Sequence, residues 1–282
     1  MIHYHSIFRP GLFAGQTILV TGGGTGIGRA VAHELASLGA HVVLAARTEE
    51  NLVRVQDEIA AAGGAASRFV CNIREEEQVR ALFDFVLAER GKLHGLVNNA
   101  GGQFLSPAEM ISLKGWRAVV ETNLTGTFLM CREAFNRHMS DHGGAMVNML
   151  IEMWRGFPGM AHSVAARSGV EAMTRTLAVE WAPNRVRVNC VAPGFVLSSG
   201  MNNYPDGANI AYELQRHVPQ KRLLHVDEIA WAICYLLCPA AVGVTGQTWT
   251  VDGGATLWGN MWPVPDPDEL PVVNIPREPW ER

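Results

Sequence analysis

Thr17-Ile18-Leu19-Val20-Thr21-Gly22-Gly23-Gly24-Thr25-Gly26-Ile27-Gly28 is the stretch that decides the fold. An apolar, β-branched run reads as a strand, the glycines as a tight turn, and the residues after them as the start of a helix. Gly22 permits the turn, Gly26 lets the backbone approach a pyrophosphate, and Gly28 lets the helix sit close to the strand. The N-terminus of that helix can then receive the phosphate charge. A glycine-rich run alone is a weak signal, and its position between strand and helix makes this one specific.

Outward from that turn, apolar strand-like runs alternate with helical stretches. The strands expected are Thr17–Thr21, His41–Ala45, Ser67–Asn72, Gly95–Asn98, Ala145–Met149, Arg187–Ala192 and Gln247–Val251. Thr48 is expected to cap a helix with Leu52, Val55 and Ile59 on one face, ending at Gly63-Gly64. The alternation predicts an α/β protein: one Rossmann-type, doubly wound domain over residues 1–282, its seven-stranded parallel sheet covered by helices on both faces. Residues 196–218 follow a strand C-terminus, where such sheets bind ligands, and read as a substrate lid. Residues 262–282, rich in proline and charge, read as an extended tail.

A net charge of −4 argues against nucleic acid as the main partner. No apolar run approaches the ~18–20 residues that span a bilayer, so no membrane insertion is expected. Met1–Ser6 has no cationic-then-apolar signal pattern, and Trp280-Glu281-Arg282 is not a peroxisomal address. The five cysteines, Cys71, Cys131, Cys190, Cys234 and Cys238, read as buried free thiols in a reducing compartment, hence a cytoplasmic protein.

Downstream of the glycine turn stand Asn98-Asn99-Ala100-Gly101, Asn123, Pro193-Gly194, Thr245-Gly246-Gln247 and Asp252-Gly253-Gly254. That ordered set resembles the short-chain dehydrogenase/reductase superfamily over almost the whole chain. The resemblance implies that Gly22, Thr25, Gly26, Ile27 and Gly28 bind a nicotinamide dinucleotide. It further implies that Asn72 and Ile73 flank the adenine and that Asn99, Ala100 and Gly101 line the pocket. Pro193, Gly194 and Val196 would hold the nicotinamide carboxamide, and Asn123 would kink a helix and hold an active-site water. Cofactor choice falls at the end of the second strand, where Ala45-Ala46-Arg47 offers an arginine fork and no carboxylate before Glu49. Arg47 suits a 2′-phosphate, so NADP is favoured over NAD. Pairing of Arg47 with Glu49 would weaken that preference.

Where the family places its Tyr-x-x-x-Lys pair, this chain reads Ser163-Val164-Ala165-Ala166-Arg167, and the family's serine falls on Leu150. A serine hydroxyl is too weak an acid for the tyrosine's task near neutral pH. Arg167 cannot relay a proton, though it can bond the two hydroxyls of the nicotinamide ribose. Asn123, Ser163 and Arg167 are thus the catalytic candidates. Reduction of a carbon–carbon double bond conjugated to a thioester fits a hydride reaction without that tyrosine. The run from Asn98 to Glu109, together with Gly156-Phe157-Pro158 and His162–Arg167, looks like the peroxisomal trans-2-enoyl-CoA reductase branch and bacterial citronellol or citronellal dehydrogenases. Glu171 stands where some of these enzymes carry a tyrosine assigned as the acid, and Glu152 where dienoyl-CoA reductases carry one.

The remaining polar candidates each have a bland reading. Glu152 and Trp154 are expected to line the cleft, though Glu152 can equally pair with Arg155. His162 is expected to face outward, because its neighbour points inward. Tyr204 is the lid tyrosine able to reach the site, or else an exposed loop residue. Arg216, Lys221 and Arg222 would suit coenzyme A phosphates or an ordinary surface. Three functions remain open: an NADPH-dependent enoyl-thioester reductase, an NAD(P)-linked dehydrogenase of an apolar alcohol or aldehyde, and a non-catalytic cofactor-binding protein. A homotetramer is expected, with Phe128, Cys131 and Phe135, and Val170, Met173 and Leu177, as its apolar helix faces.

Overall fold

Residues 6–198, 213–259 and 263–267 are described by a computed structural model of the chain. Strand β1 (Thr17–Thr21) is buried along its whole length and lies between β2 (His41–Ala46) and β4 (Gly95–Asn98). With β3 (Ala65–Val70), β5 (Gly144–Met149), β6 (Val186–Pro193) and β9 (Thr248–Val251) they form one seven-stranded sheet, ordered β3-β2-β1-β4-β5-β6-β9. Every pairing in it is parallel. The chain runs outward from β1 to β3, then returns to place β4 on β1's other side. That reversal opens a crevice at the C-terminal ends of β1 and β4, where doubly wound sheets bind ligands.

Alternation along each strand feeds two cores. Ile18, Val20, Val42, Leu44, Val97 and Val147 face α1 (Gly26–Ser37), α2 (Glu49–Ala61) and α8 (Val226–Leu237). Leu19, Val43, Leu96, Met146 and Val188 face α3 (Glu76–Arg90), α5 (Gly126–Ala134) and α7 (Ala161–Glu180). On the second side α4 (Leu113–Val120), α5 and α6 (Ser140–His142) follow one another through two π turns, Glu121–Thr125 and Phe135–Met139. Arg187 on β6 donates to the carbonyls of Leu236, Leu237 and Cys238, capping the C-terminal end of α8. All five cysteines are buried and free, and burial pushes the Cys131 and Cys190 thiols up to about 12.

The expected strands match the sheet to within a residue at each end, except β3. Its start at Ala65 is fixed by pairing with His41, directly after Gly63-Gly64, and it stops at Val70 rather than Asn72. Asn72 turns out of the ladder, its N–H donating to Gln78 Oε1 at 2.9 Å ahead of α3. Thr48 is the N-cap residue of α2 but makes no side-chain capping bond. Of the expected lid, Val196–Leu197 forms β7, paired with β8 (Leu224–His225), and Ser198 and residues 213–218 are described. Tyr204 lies outside the described residues, as does most of the expected tail. Among the described residues no helix is long and apolar enough to cross a membrane.

Candidate active site

The turn after β1 is built from backbone rather than side chains. Gly22 and Gly26 hold positive φ values of 65° and 50°. A Cβ on Gly28 would stand 2.2 Å from the Gly22 carbonyl oxygen, so only glycine allows α1 to start there. Asn99 ties this turn to β4, its Nδ2 donating to the carbonyls of Thr21 at 3.0 Å and Gly22 at 3.3 Å. Thr21 Oγ1 in return accepts from the N–H groups of Asn99 and Ala100 at 3.1 and 3.0 Å.

A cavity of about 160 Å³ opens above this seam. Gly22, Thr25, Arg47, Asn72, Ile73, Ala100 and Gly101 of the expected cofactor residues line it. Gly26, Ile27, Gly28 and Asn99 lie in the turn itself or beneath it, while Pro193, Gly194 and Val196 lie outside its lining. Asn51 and Thr122 line it without having been singled out from the sequence, and Thr48, expected as a helix cap alone, lines it too. Asn51 also abuts the turn: a Cβ on Gly24 would come within 2.9 Å of its Cβ. Arg47 is exposed and forms no ion pair with Glu49 among the described residues. The cavity is backbone-rich and bordered by the Arg47 cation, and these residues fit a dinucleotide diphosphate.

The second half of the crevice lies between β4, β5 and α7. Asn123, fully buried in the first π turn, holds Gly102 from both sides: Oδ1 accepts from Gly102 N–H at 2.9 Å and Nδ2 donates to Gly102 O at 3.0 Å. This side chain fixes the loop after β4. Arg167 is buried, donates from Nη1 to Met149 O at 2.6 Å, and leaves Nε without a partner. Its Nη2 lies 2.1 Å from where a Gly101 Cβ would stand, so the guanidinium lies against the Gly101 loop. No carboxylate pairs with it among the described residues, and burial lowers its pKa to about 10. Ser163, also buried, donates from Oγ to Gln103 Oε1 at 2.6 Å.

Several sequence expectations are corrected here. His162 is buried rather than outward-facing: the loop after β4 covers it, with Phe104 edge-on at 4.4 Å between ring centroids. Burial lowers its pKa. Glu171 accepts from Arg175 and Thr248, both at 3.2 Å. Arg222 is held by both oxygens of Glu228 at 2.8 Å, and Lys221 faces Asp266 and the Trp258 ring. Of the faces expected to form a tetramer, Cys131, Val170 and Leu177 are consumed in the chain's own core, and Phe135 stacks on Trp181 at 4.3 Å. Glu152 forms no ion pair with Arg155 among the described residues, and its Oε2 is buried without a partner.

Beneath both halves runs a buried polar seam. Asn98 Nδ2 donates to Asn148 Oδ1 at 2.8 Å, Asn148 Nδ2 donates to Thr174 Oγ1 at 2.8 Å, and Cys190 Sγ donates to the same hydroxyl at 3.1 Å. The seam links β4, β5, β6 and α7.

A sheet reversing at β1/β4 under a glycine turn, with an Asn–Asn–Ala–Gly loop beside it, defines an NAD(P)-type oxidoreductase. The family model described as enoyl-(acyl carrier protein) reductase matches residues 22–256, and the chain belongs to the short-chain dehydrogenase/reductase family. It is 35% identical over 259 residues to the "Probable 2,4-dienoyl-CoA reductase" of Bacillus subtilis, covering 88% of this chain and 98% of that protein. With the peroxisomal 2,4-dienoyl-CoA reductase of Mus musculus it shares 34% identity over 257 residues, 90% of this chain and 88% of the mouse protein. The solved structure of the citronellol catabolism dehydrogenase of Pseudomonas aeruginosa PAO1 superposes with a TM-score of 0.82 at 55% identity, covering 90% of this chain and 100% of the other.

Proposed function

We propose that the protein is an NADP-dependent reductase of the carbon–carbon double bond of a trans-2-enoyl-CoA thioester. The observation that carries this reading is the state of the position beside Arg167. Ser163 spends its only hydroxyl proton on Gln103, and Leu150 has no polar side-chain atom to hold a carbonyl. Oxygen-directed proton transfer by the family's usual pair is not available there.

The crevice would hold a nicotinamide, whose bound form would supply the hydride. Gly22, Thr25, Arg47, Asn72 and Ile73 suit the dinucleotide end, and the exposed Arg47 suits a 2′-phosphate. Arg167, buried and without an anionic partner, suits the ribose hydroxyls by charge-assisted bonds. Asn123 holds Gly102 from both sides and so fixes the loop that carries Gly101 and Gln103. The kinship with dienoyl-CoA reductases supports a thioester substrate, and Ser163 and Gln103 would face the thioester end.

A second reading, dehydrogenation of an apolar alcohol or aldehyde, is favoured by the 55% identity to the citronellol catabolism dehydrogenase. NADPH oxidation with crotonyl-, octenoyl- and decenoyl-CoA, run beside NAD(P) reduction with citronellol and geraniol, separates the two. Turnover of the enoyl-CoA panel is expected, and turnover of the alcohols alone overturns the first reading. We further propose a homotetramer whose interface includes the exposed Phe128, and light scattering at micromolar concentration checks it.

A further inference from the structure

Glu152 carries a carboxylate oxygen, Oε2, that finds no partner among the described residues. It lies in the loop that leaves β5 at the C-terminal edge of the sheet, two residues after Leu150. That oxygen is buried and accepts no hydrogen bond from any described residue. An orphaned carboxylate oxygen is costly, whereas the neutral acid is far less so. Burial comes first among the causes that raise its pKa, and the negative charge of Asp252 adds to it. The cation of Arg155, on the same loop, opposes the shift.

Asp252, in the turn after β9, is in the opposite situation. Its carboxylate accepts from the N–H groups of Gly254 at 2.9 Å and Thr256 at 2.7 Å, and from the Thr256 hydroxyl at 2.5 Å. These bonds hold its pKa below the ordinary value against the effect of burial. One carboxyl is locked as the anion and its neighbour is pushed towards the acid. Environments that drive two carboxyl groups apart in this way mark acid and base assignments. Both residues sit on segments that leave the sheet at its C-terminal edge, Glu152 after β5 and Asp252 after β9. A Cβ on Gly194, at the turn expected to hold the nicotinamide, would lie 2.8 Å from Asp252 Cα. The carbonyl of Met149, three residues before Glu152, holds Arg167.

We propose that Glu152 is the proton donor of this site, replacing the hydroxyl acid that position 163 does not supply. This rests on the reductase reading. As hydride adds to the β-carbon of the enoyl thioester, an enolate forms. Its electron pair then takes the Glu152 proton: a C–H bond forms at the α-carbon, the O–H bond breaks, and the carboxylate is reprotonated by water. In alcohol oxidation the same carboxylate would accept the hydroxyl proton instead.

The first test needs no cofactor. The infrared band of a protonated carboxyl, taken as wild type minus Glu152→Gln across a pH series, should disappear with a midpoint above the ~4.3 of an ordinary glutamate. A midpoint at or below that value overturns the proposal. The second test is kinetic, on whichever substrate of the enoyl-CoA and alcohol panel the wild type turns over. Glu152→Gln should lower kcat by ~10²-fold or more, with unchanged NADPH titration and melting temperature. Glu152→Asp should recover part of the rate and keep the basic limb of the pH profile. Asp252→Asn, which removes the repelling charge, should move that limb to lower pH. Full activity of Glu152→Gln on enoyl-CoA overturns the proton donor and leaves the reductase reading standing. Wild-type activity on alcohols alone, abolished by Glu152→Gln, overturns the reductase reading and supports the donor.

Discussion

The two halves of the crevice are built on different principles. The nucleotide half is backbone: glycines on which a Cβ would stand only 2–3 Å from its neighbours, and a turn sewn to β4 by Thr21 and Asn99. The reaction half is a handful of buried side chains: Asn123 and Ser163 bonded to the loop after β4, and Arg167 to the last residue of β5. A site made of close backbone contacts tolerates almost no substitution. A site made of side chains can exchange its chemistry while the scaffold stays. A chain built in this way can keep its glycine turn while the side chains around Arg167 vary.

The strongest way to break this contrast is Gly28→Ala. Its methyl would collide with the Gly22 carbonyl, and overpacking of this kind costs about 3 kcal/mol. Denaturant unfolding should show that loss together with loss of NADPH titration. A stable, NADPH-binding variant would mean that the turn is not backbone-limited. Arg47→Ala should come next, weakening NADPH by about 2 kcal/mol, the scale of a charge-assisted bond, and leaving NADH almost untouched. Equal losses in the two titrations would remove the basis for NADP.

Glu58→Gln probes the support behind the turn. Glu58 on α2 holds Arg29 on α1 at 2.7–2.8 Å and His33 at 3.1 Å. Its pKa lies at about 2, lowered by the His33 and Arg29 hydrogen bonds against burial. The folded value is below the unfolded one, so the pair stabilises above the ordinary glutamate range and is lost as pH falls towards 2. The variant should be about 1.5 kcal/mol less stable at pH 7, with the difference closing by pH 2 in melting curves. The smallest effect, and the one of opposite sign, is expected from Arg167→Met. Removing a buried cation that lacks an anion should raise apo stability by about 1 kcal/mol while cofactor titration weakens. A destabilised apo protein would show Arg167 to be structural.

The unequal legibility of the molecule follows the same division. The strands and the glycine turn are readable from sequence because each depends on a contiguous pattern, whereas Asn72, Ile73, Ala100 and Gly101 of the cavity lining follow from the family resemblance. Asn51 escapes such reading because it acts through a long-range contact with Gly24. Gln103 escapes it for the same reason, meeting Ser163 across sixty positions. His162 is misjudged by helical periodicity, since inside and outside lose their meaning where the β4 loop packs over the first turn of α7. Thr48 has a capping residue's position and lines the cavity without making the cap. The opposition of Glu152 and Asp252 joins residues a hundred positions apart and leaves no local trace.

The seam of Asn98, Asn148, Thr174 and Cys190 has a mechanical meaning. Sliding α7 along the sheet would strip both buried hydrogen bonds of Thr174 together. The helix bearing Ser163 and Arg167 is therefore denied translation as a degree of freedom, and substrates of different shape must be met by the loops at the crevice mouth while the floor stays in register.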